Sequence, residues 1–264
     1  DVDPKNENPE LTTSEPYVMG SHATGSGAWC SGPEDISPPE YFWGYNRMTT
    51  IEGLFGAGDA VGGTPHAFSS GSFTEGRLAA KAACKYIDDG KGEGIVVSDA
   101  QITRRGEEIF KPLEHYRIYR NAIVAGSVNP HYINPKQGLD RLQKLMDEYC
   151  GGVTVNYMTN EKLLNIGLKK LAIMEEDLEN LAAKDVHELL RAWELKHRHR
   201  AAECVTQHTL FRKETRWPGY YYRGDAMKVD DVNWHVLTVS RRDPQTGEYT
   251  MEKAPCYHLV ADEA

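Results

Sequence analysis

Between Gly53 and Arg77 the chain carries seven glycines, two of them in Gly56-Ala57-Gly58-Asp59 and two side by side at Gly62-Gly63. Glycine loses more conformational freedom on folding than any other residue, so this density is costly unless the backbone must turn left-handed or pass close to something. Upstream, Ile51, Leu54 and Phe55 predict a short strand within 50–58. Downstream, Leu78, Ala79, Ala82, Ala83 and Tyr86 recur at steps that predict one buried face of a helix over 72–87. Strand, glycine turn and helix then follow one another, with the helix's unbonded N–H groups and positive dipole end turned back toward the glycines. Without a Cβ at Gly58, the backbone can approach a bound dinucleotide, and the Asp59 carboxylate can accept a hydrogen bond from a sugar or ribityl hydroxyl. A tight strand-to-helix turn capped by Asp59 explains the same residues equally well.

Composition narrows the setting. The 264 residues carry a net charge of −9, which argues against a nucleic-acid footprint or a polybasic membrane anchor. No apolar run approaches the roughly 20 residues that span a bilayer. Charge is unevenly placed: residues 1–95 hold 14 acidic and 6 basic side chains, the remainder 25 and 24, so a boundary is expected near Gly90 to Gly94. The start, Asp1 to Glu10, lacks a methionine and reads as the middle of an acidic loop in a longer polypeptide. Cys30, Cys84, Cys150, Cys204 and Cys256 are each more than 50 residues apart, so no CxxC pattern for a metal or cluster exists. An odd, scattered set fits reduced thiols in the cytoplasm better than a disulfide framework.

The second half reads as mainly helical. Asn134-Pro135 is a good start signal and Gly151 a good stop. Leu164, Leu168, Leu171, Met174, Leu178 and Leu181 recur at steps of three and four. Asp185 with Glu188 resembles a capping box, ahead of Val186, Leu189, Leu190 and Trp193. Trp234 to Val239 predicts a strand, Asp243 to Gly247 a turn, and Tyr249 to Met251 a partner strand.

The run from Gly58 to Arg77, Gly-Asp-Ala-Val-Gly-Gly-Thr-Pro-His-Ala-Phe-Ser-Ser-Gly-Ser-Phe-Thr-Glu-Gly-Arg, resembles the second flavin-binding segment of the fumarate reductase and succinate dehydrogenase flavoprotein superfamily. Within it the run is most similar to the alpha subunits of dissimilatory adenylylsulfate reductases. The resemblance implies an α/β + α fold: the carboxy-terminal part of a Rossmann-like FAD-binding domain (1–95), then a mostly helical domain with a terminal β-hairpin (96–264). It implies that Gly58 and Asp59 contact FAD, Asp59 through the ribityl chain. Ser70, Gly71, Ser72, Phe73, Thr74 and Glu75 match the helix entry that supports the flavin ring.

Met19-Gly20-Ser21-His22, with Gly27 five residues on, matches the superfamily's histidine beside substrate and flavin. His22 is therefore the candidate catalytic residue, and His66 a second candidate. Ser69 stands where fumarate reductases carry a carboxylate-binding Arg, which speaks against a dicarboxylate substrate. Arg212 to Arg216 and Tyr222 to Asp225 resemble a segment that anchors the helical domain by ion pairs; they read as structural. Trp217, Tyr220, Tyr221 and Tyr222 read as domain packing, or as contact with an electron-transfer partner. His197-Arg198-His199-Arg200 reads as a helix face or a contact with the rest of the protein.

The first flavin element, Gly-x-Gly-x-x-Gly, is missing: Gly25-Ser26-Gly27 has Cys30 where the third glycine belongs. The chain thus resembles the carboxy-terminal portion of a considerably longer subunit. The implied activity interconverts adenylylsulfate plus two electrons with sulfite plus AMP, through a sulfite adduct at flavin N5. The implied partners are the remainder of the alpha subunit, an iron–sulfur beta subunit holding [4Fe-4S] clusters, and a possible membrane-associated electron donor. No metal site is expected in this chain. Two alternatives remain at this level: another flavoprotein of the fumarate reductase or L-aspartate oxidase type, or a non-catalytic interaction fragment.

Overall fold

The computed structural model describes residues 26–62, 69–94, 96–122, 128–216 and 221–257. They fall into two compact units, divided between residues 95 and 96.

The first unit is organised by helix α1 (Ser69–Asp88), which starts three residues before the apolar spacing predicts and buries Glu75, Ala79 and Tyr86. Tyr86 receives Tyr45 and Phe55 edge-on, with ring centroids 5.2 and 5.9 Å away. The strand expected over 50–58 does not form. Gly53, at φ +79°, reverses the chain, and the Thr49 N–H donates to the Leu54 carbonyl at 2.7 Å. Ile51 and Leu54, expected on a strand, lie exposed on this turn. Among the described residues of this unit the pairings are isolated bridges, Ala28–Val61 parallel and Cys30–Thr49 and Met48–Phe55 antiparallel, and no Rossmann-like sheet assembles. The segment uses its peptide groups within its own turn, leaving few for the flanking ladders a sheet strand requires.

The second unit is helical. Helix α2 (Asp99–Tyr119) went unrecognised in the sequence because its one fully buried residue is Pro112, so no apolar stripe marks it. Its start is locally encoded: the Ser98 hydroxyl accepts from the Gln101 N–H, and the Gln101 side chain accepts from the Ser98 N–H. Helix α3 (Pro135–Tyr149) starts and stops where expected, with a capping box between Asn134 and Gln137 and Gly151 at φ +86° beyond its end.

Helix α4 (Glu161–Leu178) buries Leu164, Leu171, Met174 and Leu178. It ends before Leu181, which instead lies in a parallel bridge with Ile133. Helix α5 (Val186–Phe211) is capped by Asp185, but the Glu188 carboxylate returns to the Lys184 N–H rather than completing the box. Of its expected apolar opening only Leu189 is buried; Val186 and Leu190 are exposed. His199 is not a surface residue: it is buried, with Nε2 2.8 Å from the Leu171 carbonyl of α4. Helices α3, α4 and α5 share one core of Leu142, Leu145, Leu171, Met174, Leu178 and Leu195.

After α5 come β2 (Tyr222–Arg223), which pairs in parallel with β1 (Met158–Thr159), then the short helix α6 (Asp231–Trp234). The expected hairpin follows as β3 (Val236–Arg242) and β4 (Tyr249–Pro255), in register from Val236–Pro255 to Arg242–Tyr249. Trp234 belongs to α6, not to the strand; it is buried against Phe211, with the Lys253 ammonium 3.6 Å above its ring.

An ionic knot holds this end together. The fully buried Glu214 carboxylate accepts from Arg212 (2.7 Å), Arg216 (2.6 and 3.0 Å) and the Asp230 N–H (2.8 Å). Buried Arg223 grips Asp225 through Nε and Nη2 at 2.9 and 3.0 Å. Its Nη1 meets the Thr209, Leu210 and Arg212 carbonyls at the end of α5. Burial pushes the Glu214 carboxyl up, but Arg216, the Asp230 N–H and Arg212 together hold it below its ordinary value. The Arg223 guanidinium holds Asp225 down at about 2.

Both carboxyls therefore stabilise the fold fully above their unfolded pKa values of about 4, and lose that contribution as pH falls through their lowered folded values, about 2 for Asp225. Allowing for the partly exposed Asp225 side chain, its share is about 1–2 kcal/mol. Acid titration followed by circular dichroism is expected to show helix loss beginning below about pH 4, with Asp225→Asn reducing the steepness of that limb.

Candidate functional site

Gly58 opens a short 3-10 turn, Gly58–Ala60, closed by the Val61 N–H on the Gly58 carbonyl at 3.0 Å. It is buried at φ +62°, and a Cβ placed there would lie 3.2 Å from the Ser72 hydroxyl oxygen. Both the left-handed backbone and the close approach require glycine. The structure thus brings the Gly58–Asp59 turn to the head of α1 through the contact of Gly58 with Ser72, from ten or more residues away in the sequence. Asp59 is exposed on the outside of that turn.

The head of α1 is Ser69-Ser70-Gly71-Ser72, with no acidic residue in its first turn, so no side-chain carboxylate there offsets the positive end of the helix. The Thr74 hydroxyl turns back onto the Ser70 carbonyl at 2.9 Å, so it serves the helix itself. Phe73 is 81 % exposed. The Glu75 side chain does not face outward: it is buried in a two-point ion pair with Arg47, one contact being Nη2 to Oε1 at 2.8 Å. Its carboxylate is therefore spent on Arg47. His22 and His66 lie outside the described residues, whereas Ser69 sits exposed at the start of α1.

A second close approach borders the same turn. A Cβ on Gly27 would fall 2.6 Å from the Gly62 nitrogen, 2.7 Å from the Val61 carbonyl carbon and 2.8 Å from the Ala60 oxygen. Backbone bonds from Ala28 N–H to Ala60 (2.7 Å) and from Gly62 N–H to Ala28 (3.0 Å) run through this contact. It sets Gly27 and Ala28 alongside the loop leaving Asp59. Cys30 lies under the same turn, its sulfur 3.0 Å from where a Gly56 Cβ would be. Burial pushes its thiol above its ordinary value, against the opposing pull of Arg47 and the Gly56 backbone.

Sequence reasoning missed Arg47 and the Gly27–Gly62 contact. Arg47 pairs with a residue 28 positions away and sits in no motif, so no spacing signals it. The glycines were visible, but what each one meets was not.

The residues present are of the kind that fits one side of a flavin dinucleotide: a Cβ-free turn, an exposed carboxylate beside it, and a helix whose first turn carries no acidic residue. A reduced flavin gains negative charge at its pyrimidine edge, which a helix N-terminus accommodates. Among the described residues no group of three or more His, Cys, Asp or Glu side chains is placed to hold a metal ion. No helix of the described residues is long and apolar enough to cross a membrane. The charges of Arg212 to Asp225 are spent within the helical unit: on one another, on the end of α5, and on Glu161, Asp231 and the Trp234 and Val236 carbonyls. Tyr221 donates to the Glu214 carbonyl at 3.4 Å, and the Tyr222 N–H to Tyr157 at 2.7 Å, while Trp217 and Tyr220 lie outside the described residues.

Residues 139–259 match the family model described as fumarate reductase flavoprotein C-term. Over 99 % of its length the chain is 40 % identical to the adenylylsulfate reductase subunit alpha of Megalodesulfovibrio gigas, of which it covers 40 %. The structure of adenylylsulfate reductase from the hyperthermophilic Archaeoglobus fulgidus aligns with 90 % of this chain, at TM-score 0.85 and 49 % identity, over 38 % of its own length. A structure of adenosine-5-phosphosulfate reductase in complex with sulfite, as a covalent adduct, aligns at TM-score 0.84 and 48 % identity with the same coverage. The chain therefore spans about two fifths of the length of these relatives.

Proposed function

We propose that this chain, similar over residues 139–259 to fumarate reductase flavoproteins and over nearly its whole length to an adenylylsulfate reductase alpha subunit, forms the second flavin-binding segment and the helical region of such a subunit. The whole subunit would interconvert adenylylsulfate plus two electrons with sulfite plus AMP. In the reducing direction the bond between sulfur and the phosphate oxygen breaks, sulfur falls from the sulfate to the sulfite level, and AMP leaves as an anion. The observation that carries this reading is the abutment of the Gly58–Asp59 turn on the anion-free head of α1.

FAD, when bound, supplies the two-electron chemistry. Gly58 would let the backbone approach the dinucleotide, and Asp59 would accept a hydrogen bond from a ribityl hydroxyl. The first turn of α1, from Ser69 to Ser72, has backbone N–H groups and a positive end that would accommodate the electron-rich edge of the ring. His22 would hold a proton beside the reacting sulfur, neutralising sulfite or the departing phosphate. Ser69 in the place of an arginine removes the cation a dicarboxylate would need. Electrons would come from an iron–sulfur partner, and the rest of the Rossmann-like flavin domain, with its pyrophosphate cradle, from the remainder of the longer subunit.

The test is turnover by a full-length subunit containing these residues, purified with its electron-transfer partner. Adenylylsulfate-dependent oxidation of a reduced dye is expected, with release of sulfite and AMP and no reaction with fumarate. Reduction of fumarate in place of adenylylsulfate would overturn the assignment.

A further inference from the structure

Arg47 is a non-glycine residue held in the left-handed region, at φ +66°. Glycine or asparagine would suit that backbone better, so its identity has to be explained by the side chain. That side chain reaches the second turn of α1 and closes a two-point, largely buried ion pair with Glu75. Its backbone is pinned as well: the Arg47 N–H donates to Ser31 at 2.8 Å, and the Arg47 carbonyl accepts from Gly56 at 2.9 Å. One residue therefore ties the stretch after Gly27, the loop entering Gly58, and the helix whose head abuts Gly58.

We propose that Arg47 is a positioning residue for the flavin site: its pairing with Glu75 fixes the head of α1 beside the Gly58–Asp59 turn and neutralises the Glu75 carboxylate there. The inference rests on the flavoprotein reading above. Two physical effects support it. A forked guanidinium–carboxylate pair constrains orientation as well as distance, which a single contact does not. Moreover, a bare carboxylate at Glu75 would oppose the helix end that is to accommodate negative charge on a reduced flavin. Removing Arg47 therefore acts on the flavin twice, through geometry and through charge.

The experiment uses the full-length, FAD-loaded subunit and reads FAD affinity and flavin midpoint potential, with turnover as a third measure. Arg47→Met is expected to weaken FAD binding about tenfold or more, the loss of a charge-assisted contact. It should also move the midpoint potential to more negative values. Adding Glu75→Gln to it removes the unpaired charge, so the potential returns toward wild type while affinity stays low. Arg47→Lys keeps the charge but not the fork, and should keep the potential while losing part of the affinity. Where Arg47→Met yields no folded protein, Arg47→Lys and Glu75→Gln are read instead. Variants that lose thermal stability but keep wild-type affinity and potential would overturn the inference, leaving the pair a packing contact. A wild-type subunit that holds no flavin would overturn the functional reading first, and this inference with it.

Discussion

Replacing Arg223 by methionine is expected to lower the unfolding free energy of the helical unit by about 3–5 kcal/mol, the scale for breaking a buried ion pair from one side. The side chain is 1 % exposed and all three of its nitrogens are hydrogen-bonded. Two of its nitrogens satisfy Asp225, and the third meets the Thr209, Leu210 and Arg212 carbonyls. The last carbonyls of any α-helix have no partner within the helix, so at the end of α5 this guanidinium supplies what a glycine cap or water otherwise would. Methionine fills a similar volume but leaves those carbonyls and the Asp225 carboxylate without it. Lysine restores the charge without the planar fork and should recover only part of the loss. Urea unfolding of the purified chain is the measurement, a lower midpoint at unchanged m-value being the expected signature. A change of less than about 1 kcal/mol, the range of an exposed pair, would mean that the knot is not what holds this end of the unit.

Gly27→Ala is expected to be equally severe in the first unit. The added Cβ would overlap the backbone of Ala60, Val61 and Gly62, none of which can yield by changing a rotamer. Relief requires the two stretches to part, which breaks the hydrogen bonds from Ala28 to Ala60 and from Gly62 to Ala28. Strain and lost hydrogen bonds together amount to about 3–5 kcal/mol. The separation would also carry Gly27 and Ala28 away from the loop after Asp59, so a full-length subunit with this change should be purified with little or no flavin. Gly76→Ala is the control: nothing lies within 4 Å of its Cβ position, and it is inside α1. There alanine should stabilise by up to about 1 kcal/mol through helix propensity, and flavin content should not fall. Equal flavin content in the two variants would remove the Gly27–Gly62 contact from the site.

The helices whose signals are local emerged correctly from the sequence. Asn134-Pro135 and Gly151 bracket α3 because capping and the left-handed stop involve residues only a few positions apart. The leucine spacing of α4 works for the same reason, until Leu181, where a bridge to Ile133 takes over from the helix. Helix α2 failed that reading because Pro112 is its single fully buried residue, and a proline inside a helix is the opposite of a helix signal. Ile51 and Leu54 failed in the other direction: their β-forming character was overruled by the reversal at Gly53.

The candidate site divides along the same line. Gly58, Asp59 and the head of α1 are contiguous enough to form a motif, and their chemistry follows from residue type: no Cβ, a carboxylate, unbonded N–H groups. What Glu75 does could not be read that way, since its carboxylate is consumed by Arg47 from a loop 28 residues upstream. Nor could the pairing of Gly27 with Gly62, or the burial of Glu214 and Arg223 among their partners. Helix caps, turns and periodic faces depend on neighbours in the chain, so the order of residues is sufficient to specify them. Close backbone approach and the pairing of buried charges depend on which distant segments meet, and that is decided only when the chain has packed.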